Sequence, residues 1–208
     1  MEVILATVLR ADSNAIDVGA NEGMVLEAMT RIAPGGKHIA YEPVPELHDD
    51  LIKRFPNVDV RQAALYDAAG TASFTHVLDL ASRSGLRQRS DLDASPDRLH
   101  QISVRTERLD DALDDDYVPT LIKIDVEGAE LGVLRGAVET LHRHRPYVLF
   151  EHGIGGADLY EAHPTEVFDL LDTSGLRIFD LEGAGPYSRD QFEATFTELI
   201  WNFLAAPR

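Results

Sequence analysis

Residues 15–23 read AIDVGANEG, a short apolar run that ends in a glycine-rich turn. The run predicts a buried β-strand over Ala15–Val18, and Gly19 allows the chain to turn tightly out of it. A helix is predicted over Glu22–Ile32, because Pro34 follows it and four apolar residues recur at helical spacing: Val25, Leu26, Met29 and Ile32. A strand–turn–helix unit of this kind is typical of α/β proteins.

The rest of the chain repeats this alternation of short strands and helices. Further strands are predicted at 38–41, 58–65, 71–75, 102–108, 121–125, 147–151, 177–180 and 197–204, and further helices at 45–55, 129–143 and 164–174. The pattern predicts one α/β domain over residues 1–208 with a mostly parallel sheet. Residues 1–14 are expected to be a short lead-in, and residues 76–101, which lack periodicity, a long functional loop.

The charge balance restricts the possible partners. The chain has 208 residues, 19 basic and 36 acidic side chains, a net charge of −17 and no cysteine. This excess of negative charge repels phosphate backbones and anionic lipid, so we expect neither nucleic acid nor a membrane as a partner. Without cysteine there are no disulfides or thiolate zinc sites. No stretch has the ~20 apolar residues of a membrane span, no basic leader is present, and we expect a cytoplasmic protein.

Ligands of parallel sheets bind at the carboxyl ends of the strands, so the turn after the first strand is a candidate site. A dinucleotide fingerprint would place a glycine where Asn21 stands. Asp17 and Glu22 also put negative charge where a pyrophosphate would lie. The turn therefore favours a ligand that carries an ammonium group and no phosphate, and an ordinary strand-to-helix turn is the alternative.

Glu42 follows the second predicted strand and lies 19 residues after Gly23. An acidic residue about 20 residues beyond such a turn is where a ribose is bound in this kind of fold. Its two carboxylate oxygens can accept hydrogen bonds from two adjacent hydroxyls. A solvated acid beside a helix is the alternative.

Two later strand ends carry candidate catalytic groups. Asp125 and Glu127 follow the strand 121–125 and are two residues apart, so in an extended chain they point to the same side. They could hold an ammonium group or a substrate, bind a divalent cation such as Mg²⁺, or cap the next helix. His152 follows the strand 147–151 and is either a base or a structural residue. A carboxylate neighbour would raise the pKa of His152. We predict no metal ligands.

Five blocks together resemble the FkbM family of class I methyltransferases: AIDVGANEG at 15–23, YEP at 41–43, QAALYDAAG at 62–70, RLDD at 108–111 and LIKIDVEGAELGVLRG at 121–136. They follow the family's order from residue 15 to about residue 152. The resemblance implies a Rossmann-like fold with helices on both faces of a seven-stranded, mostly parallel sheet whose last strand is antiparallel. It also implies S-adenosyl-L-methionine as cofactor and S-adenosyl-L-homocysteine as product.

The resemblance also assigns roles to residues. It implies that the turn residues cradle the methionine part of the cofactor, that Glu42 holds the ribose beside Pro43, and that Asp125 faces the amino-acid end or the acceptor. The turn residues are Asp17, Gly19, Ala20, Asn21 and Gly23, and the residues expected to line the adenine are Ala63 and Ala64. Residues 76–101 become an acceptor-side loop.

Many members of the family methylate a hydroxyl oxygen of a sugar or a secondary metabolite, which implies a small hydroxylated acceptor. An NAD(P)-dependent oxidoreductase and a non-catalytic, cofactor-binding partner subunit are the alternatives. The sequence leaves both a monomer and a homodimer open.

Overall fold

Seven strands form the central sheet of the computed structural model, which describes residues 1–78, 83–87, 96–198 and 200–208. The strands are β1 (Asn14–Val18), β2 (Ile39–Tyr41), β3 (Asp59–Arg61), β4 (Ala64–Leu65), β5 (Gly70–Val77), β6 (Leu99–Glu107), β7 (Pro119–Ile124), β8 (Tyr147–Glu151), β9 (Leu176–Asp180) and β10 (Asn202–Pro207). The α-helices are α1 (Glu2–Val8), α2 (Met24–Ile32), α3 (Pro45–Arg54), α4 (Leu109–Ala112), α5 (Glu130–Arg135), α6 (Val138–His144), α7 (Pro164–Thr173) and α8 (Arg189–Thr195).

The central sheet has the order β3-β2-β1-β7-β8-β10-β9. The pairs from β3 to β8 are parallel, whereas β10 runs antiparallel to both β8 and β9. This confirms the predicted Rossmann-like sheet with an antiparallel last strand. The strand order reverses between β1 and β7, and a crevice at that point, at the carboxyl ends of the strands, is where such folds bind ligands.

Alternate residues of the central strands face helices on opposite sides of the sheet. Leu121 and Leu149 belong to a cluster with Leu5 of α1 and Met29 of α2. Their strand neighbours belong to the larger cluster on the other face: Ile16, Ile122, Val148 and Phe150, with Leu134, Leu141, Val167 and Phe192 from α5 to α8. The central strands are therefore buried on both faces.

The expected lead-in and long loop contain regular structure. Helix α1 lies within residues 1–14, and its Leu5 is completely buried. Strand β5 extends to Val77 and β6 begins at Leu99, so both ends of the predicted loop are antiparallel strands. Between them, Gly85 forms a bridge with Thr75. Residues 79–82 and 88–95 of this loop prediction lie outside the described residues.

The predicted strand 58–65 is wrong as one element. It is divided into β3, which pairs with β2, and β4, which pairs with β6 of a second sheet in the order β4-β6-β5. The backbone N–H of Ala63 donates to the carbonyl of Arg61, and this tight turn separates the two strands. The second sheet lies beside the carboxyl end of β2, where Phe74 and Val104 pack on Val44.

The predicted helix 129–143 is two helices, α5 and α6. Gly136 separates them, and a Cβ there would lie 2.1 Å from the carbonyl oxygen of Tyr66. Asp110 caps α6, because its carboxylate accepts hydrogen bonds from the backbone N–H groups of Glu139 and Thr140 at 3.0 and 2.9 Å. These two hydrogen bonds hold the side chain of Asp110 at the start of α6.

The C-terminal prediction is displaced by several residues. The last strand is Asn202–Pro207 and not 197–204, so Trp201 lies before the strand, and α8, capped by Ser188, precedes it. Among the described residues, no helix combines the length and the apolar character that crossing a membrane requires.

Candidate active site

An open cleft of about 810 Å³ lies at the carboxyl ends of β1, β2 and β7. The structure brings seven of the predicted cofactor residues to this cleft, together with Glu127: Gly19, Asn21, Glu42, Pro43, Ala63, Ala64 and Asp125. Three further predicted residues, Asp17, Ala20 and Gly23, do not line it.

Asp17 lies inside β1 and is completely buried. The Nζ atom of Lys123 is 3.1 Å from Oδ1 of Asp17 and 3.6 Å from Oδ2 of Asp125, and it donates to the carbonyl oxygen of Gly19 at 2.7 Å. Burial opposes the charge of Lys123, but Asp17 and Asp125 outweigh it and raise the pKa of this lysine. The charged lysine therefore links Asp17 and Asp125 to the turn at Gly19.

The turn after β1 needs its glycines for different reasons. Gly19 has a φ of +76°, and a Cβ there would lie 2.0 Å from the carbonyl oxygen of Asp125. Gly23 has a φ of +78° at the start of α2, and a Cβ there would meet Leu51 at 2.6 Å. Ala20 is 5% exposed and packs in the same cluster as Leu51. The turn is thus fixed by close packing on both sides.

Glu42 lies at the rim of the cleft and is 4% exposed. Its Oε2 accepts a hydrogen bond from the backbone N–H of Asn21 at 2.8 Å, and its Oε1 accepts one from Val44 at 2.9 Å. Burial raises the pKa of Glu42 to about 7, against these two hydrogen bonds. Both oxygens keep a lone pair that can accept a further hydrogen bond.

The amide oxygen of Asn21 is buried and has no hydrogen-bond partner within the described ranges. Asn21 and Glu42 therefore offer acceptors at the same end of the cleft. Buried polar atoms are normally hydrogen-bonded, so such acceptors indicate a ligand that brings donors. The hydroxyls of a ribose and the ammonium of an amino acid are donors of this kind, and the residues present fit an S-adenosylmethionine molecule.

The second sheet supplies an apolar wall of the cleft that sequence reasoning missed. Phe74 of β5 and Leu86 of the 83–87 segment line the same cleft as the glycine turn. The backbone of Gly85 is hydrogen-bonded to Thr75 in both directions, at 2.8 and 3.1 Å, which holds this segment at the carboxyl edge of the central sheet. The alternation of β5 was the available signal, but it does not reveal what the strand covers.

The loop after β7 carries Asp125 and Glu127 into the cleft. Glu127 has a φ of +56°, a left-handed conformation that is uncommon for residues other than glycine. The Oε1 atom of Glu130 accepts hydrogen bonds from the backbone N–H groups of Val126 and Gly128, both at 3.1 Å. Burial raises the pKa of Glu130 to about 8. Glu130 therefore clamps the loop that presents the two acids.

A second cavity of about 700 Å³ adjoins the cleft and shares two residues with it, Glu127 and Glu151. His152 and Trp201 also line this second cavity. Glu151 was not a predicted site residue. Burial and the charges of Asp125 and Glu127 raise the pKa of Glu151 to about 7.

His152 is 3% exposed, and its ring packs against two aromatic rings. The ring centroids lie 5.8 Å from Phe192 and 5.1 Å from Phe196. Neither ring nitrogen has a hydrogen-bond partner in the described part of the chain. Burial lowers the pKa of His152 to about 4, so the expectation that a carboxylate raises it is wrong. An imidazole among phenyl rings favours its neutral form.

The described residues hold no group of three or more His, Cys, Asp or Glu side chains that could bind a metal ion. Asp125, Glu127 and Glu151 line the first cleft, and Glu127 and Glu151 also line the second cavity. Asp125 is held by Lys123, and Glu151 by the side chain of Asn202.

Comparison with known proteins gives concordant matches. A family model described as the methyltransferase FkbM domain matches residues 17–174. Methyltransferase sdnD of Sordaria araneosa is 30% identical over 156 residues, and the match covers 60% of this chain and 60% of that protein. The chain thus spans about 60% of the length of this curated relative.

Two solved structures share the fold. Methyltransferase FkbM from Methylobacillus flagellatus KT has a TM-score of 0.56 at 17% identity, covering 97% of this chain and 47% of that one. Fibrillarin of Aeropyrum pernix, solved with natively bound S-adenosyl-L-methionine, has a TM-score of 0.51 at 15% identity, covering 99% and 74% of the two chains. Since the family match extends over most of the sequence, the chain belongs to the methyltransferase FkbM domain family.

Proposed function

We propose that this chain is an S-adenosylmethionine-dependent methyltransferase that methylates a hydroxyl oxygen of a small metabolite, such as a sugar or a secondary-metabolite intermediate. The observation that carries the proposal is the position of Glu42 beside the glycine turn. Its two buried oxygens each accept one hydrogen bond, from the backbone N–H groups of Asn21 and Val44. Each oxygen can accept a further hydrogen bond from a ligand in the cleft. Membership in the FkbM family supports the same conclusion.

The charge of the site also favours this cofactor. When bound, S-adenosylmethionine supplies a methyl group on a positively charged sulfur. Asp125, Glu127 and Glu151 place three acids in the lining of the same cleft as Glu42. A cluster of acids stabilises a cationic ligand more than its neutral product, so these residues favour binding of the cofactor over retention of the product.

Each part of the site has a separate task in the proposed reaction. Glu42 and Asn21 bind the cofactor, and the wall formed by Phe74 and Leu86 excludes water from it. The acceptor enters by the second cavity, whose shared residues Glu127 and Glu151 face the cofactor cleft. Most of the acceleration comes from alignment of the acceptor oxygen with the transferred group. A base that removes the hydroxyl proton adds roughly 10²–10⁴-fold.

The NAD(P) alternative is disfavoured by residues of the same turn. A pyrophosphate would need a glycine at the position of Asn21 and would lie close to acidic side chains. The non-catalytic alternative is separated from ours by turnover, because a binding subunit would hold the cofactor without consuming it.

Mass spectrometry tests the proposal. The protein is incubated with S-adenosylmethionine and a library of hydroxylated sugars and secondary metabolites, and products are searched for a gain of one methyl unit. We expect methylated acceptor and an equal amount of S-adenosylhomocysteine, both reduced in Glu42→Ala when the cofactor is below saturation. Cofactor binding without any transfer would identify a non-catalytic subunit, and methylation confined to nitrogen or carbon acceptors would contradict the hydroxyl specificity.

A further inference from the structure

We infer that Glu151 is the base that takes the proton from the acceptor hydroxyl. The inference rests on the proposed function, since it concerns the acceptor side of the same site. It takes the place of His152, the candidate base in the sequence, and it starts from the position of Glu151 at the junction of the two cavities.

Glu151 lies on rigid structure at that junction. It is the last residue of β8, a strand paired with β7 on one side and β10 on the other, where Glu151 is in register with Asn202. It lines both the cofactor cleft and the second cavity. A group that must contact an acceptor oxygen next to the cofactor has to be reachable from both sides, and strand-borne groups are placed more accurately than loop-borne ones.

The surroundings of Glu151 hold the pKa of its carboxyl at about 7. Burial and the charges of Asp125 and Glu127 raise its pKa, while Asn202 and Lys123 lower it, and the result is about 7. The charged and titratable groups that line the second cavity with it are Arg83, Glu127, Glu130 and His152. A base is most effective when its pKa lies near the working pH, which Glu151 satisfies.

The other candidates fit the task less well. The imidazole of His152 lies between Phe192 and Phe196, and its pKa of about 4 makes it a weak base at neutral pH. Asp125 is already engaged by Lys123, whose Nζ atom lies 3.6 Å from its Oδ2. Glu127 also reaches both cavities, but it is carried by a loop rather than a strand.

The proposed step is balanced without a further reactant. The hydroxyl proton moves to a carboxylate oxygen of Glu151, and the electron pair of the O–H bond forms the new O–CH₃ bond. The S–CH₃ bond breaks, and its electron pair stays on sulfur, which gives neutral S-adenosylhomocysteine. Glu151 then releases this proton to water at the junction of the two cavities.

The test compares Glu151→Gln with Glu46→Gln, an exposed glutamate of α3 that lies outside the cavities. We expect Glu151→Gln to lower kcat by ~10²–10⁴-fold and to leave the dissociation constant of S-adenosylhomocysteine nearly unchanged. The kcat of the wild type should rise with pH through about 7 and that of Glu151→Gln should not. Glu151→Asp should restore part of the rate and the pH-dependent limb, whereas Glu46→Gln should match the wild type.

Failures of the two proposals are distinguishable. Wild-type rate and an unchanged pH profile in Glu151→Gln would overturn the role of Glu151 while methyl transfer itself stands. Loss of the pH-dependent limb in His152→Leu, with Glu151→Gln active, would return the role to His152. Binding of S-adenosylhomocysteine by the wild type without transfer to any hydroxylated acceptor would overturn both proposals.

Discussion

Replacing Glu42 by alanine removes the group on which the cofactor assignment depends. In the folded protein, the carboxylate accepts hydrogen bonds from the backbone N–H groups of Asn21 and Val44 at 2.8 and 2.9 Å. Both donors lose their acceptor in the variant, and a buried unsatisfied donor costs about 1–3 kcal/mol. We therefore expect a lower melting temperature as well as weaker cofactor binding.

The effect on binding follows from the hydrogen bonds that the carboxylate would accept from two ribose hydroxyls. Their loss should weaken the binding of S-adenosylhomocysteine by ~1–3 kcal/mol, which is roughly a 5- to 150-fold rise in the dissociation constant. The ionised carboxyl is the better acceptor, and burial raises the pKa of Glu42 to about 7. Binding by the wild type should therefore become tighter as pH rises through about 7.

Calorimetric titration with S-adenosylhomocysteine measures both effects. Glu42→Ala is compared with Glu42→Gln, which keeps one acceptor and cannot ionise, and with Glu46→Ala, an exposed acid of the following helix. We expect weak and pH-independent binding in both Glu42 variants and wild-type binding in Glu46→Ala. A folded Glu42→Ala protein with the wild-type dissociation constant would refute the assignment of Glu42 to the ribose.

Three further outcomes are expected. Gly19→Ala should abolish cofactor binding and lower the melting temperature, since its Cβ would lie 2.0 Å from the carbonyl oxygen of Asp125, and unchanged calorimetry and melting would contradict this. Glu130→Ala should weaken cofactor binding and lower the free energy of unfolding by about 1–3 kcal/mol, because the backbone N–H groups of Val126 and Gly128 lose their acceptor. Glu130→Gln should retain cofactor binding and stability. Equal losses in the two variants would contradict the role of Glu130 in holding the loop. The pKa values of Glu42, Glu130 and Glu151 are raised to about 7 or 8, so their stabilising contribution is present below about pH 4.5 and is lost as pH rises through 7 to 8. Urea unfolding of the cofactor-free protein should show a free energy of unfolding that falls between about pH 4.5 and pH 8. A free energy of unfolding that rises between these pH values would contradict the prediction.

The repeated strand–helix pattern predicted the central sheet because its strands are apolar on both faces and its helices carry clear stripes. Predictions from local patterns failed where contacts with residues distant in sequence decide the structure. Residues 58–65 look like one strand, and only the turn between Arg61 and Ala64 assigns its halves to two sheets. The capping role of Asp110 likewise depends on N–H groups of α6 that are distant in sequence.

The candidate site shows the same division. Gly19 and Glu42 are identifiable from their spacing, because each residue directly follows the strand whose carboxyl end forms its part of the site. Asp17 carries the same signal, yet its place inside β1 directs it to Lys123 rather than to the cleft. The choice between Glu151, the last residue of β8, and His152, which follows it, depends on the ring of Phe192 in α8, a helix that the sequence pattern did not predict.

A direct comparison of ligands tests the central claim that the cleft is a site for S-adenosylmethionine. The wild-type protein is titrated with S-adenosylhomocysteine and with NAD under identical conditions in a calorimeter. We predict saturable, one-to-one binding of S-adenosylhomocysteine and no heat of binding for NAD, because Asn21 stands where a pyrophosphate needs a glycine and the Glu42 carboxylate lies beside it. Tighter binding of NAD than of S-adenosylhomocysteine would contradict the account.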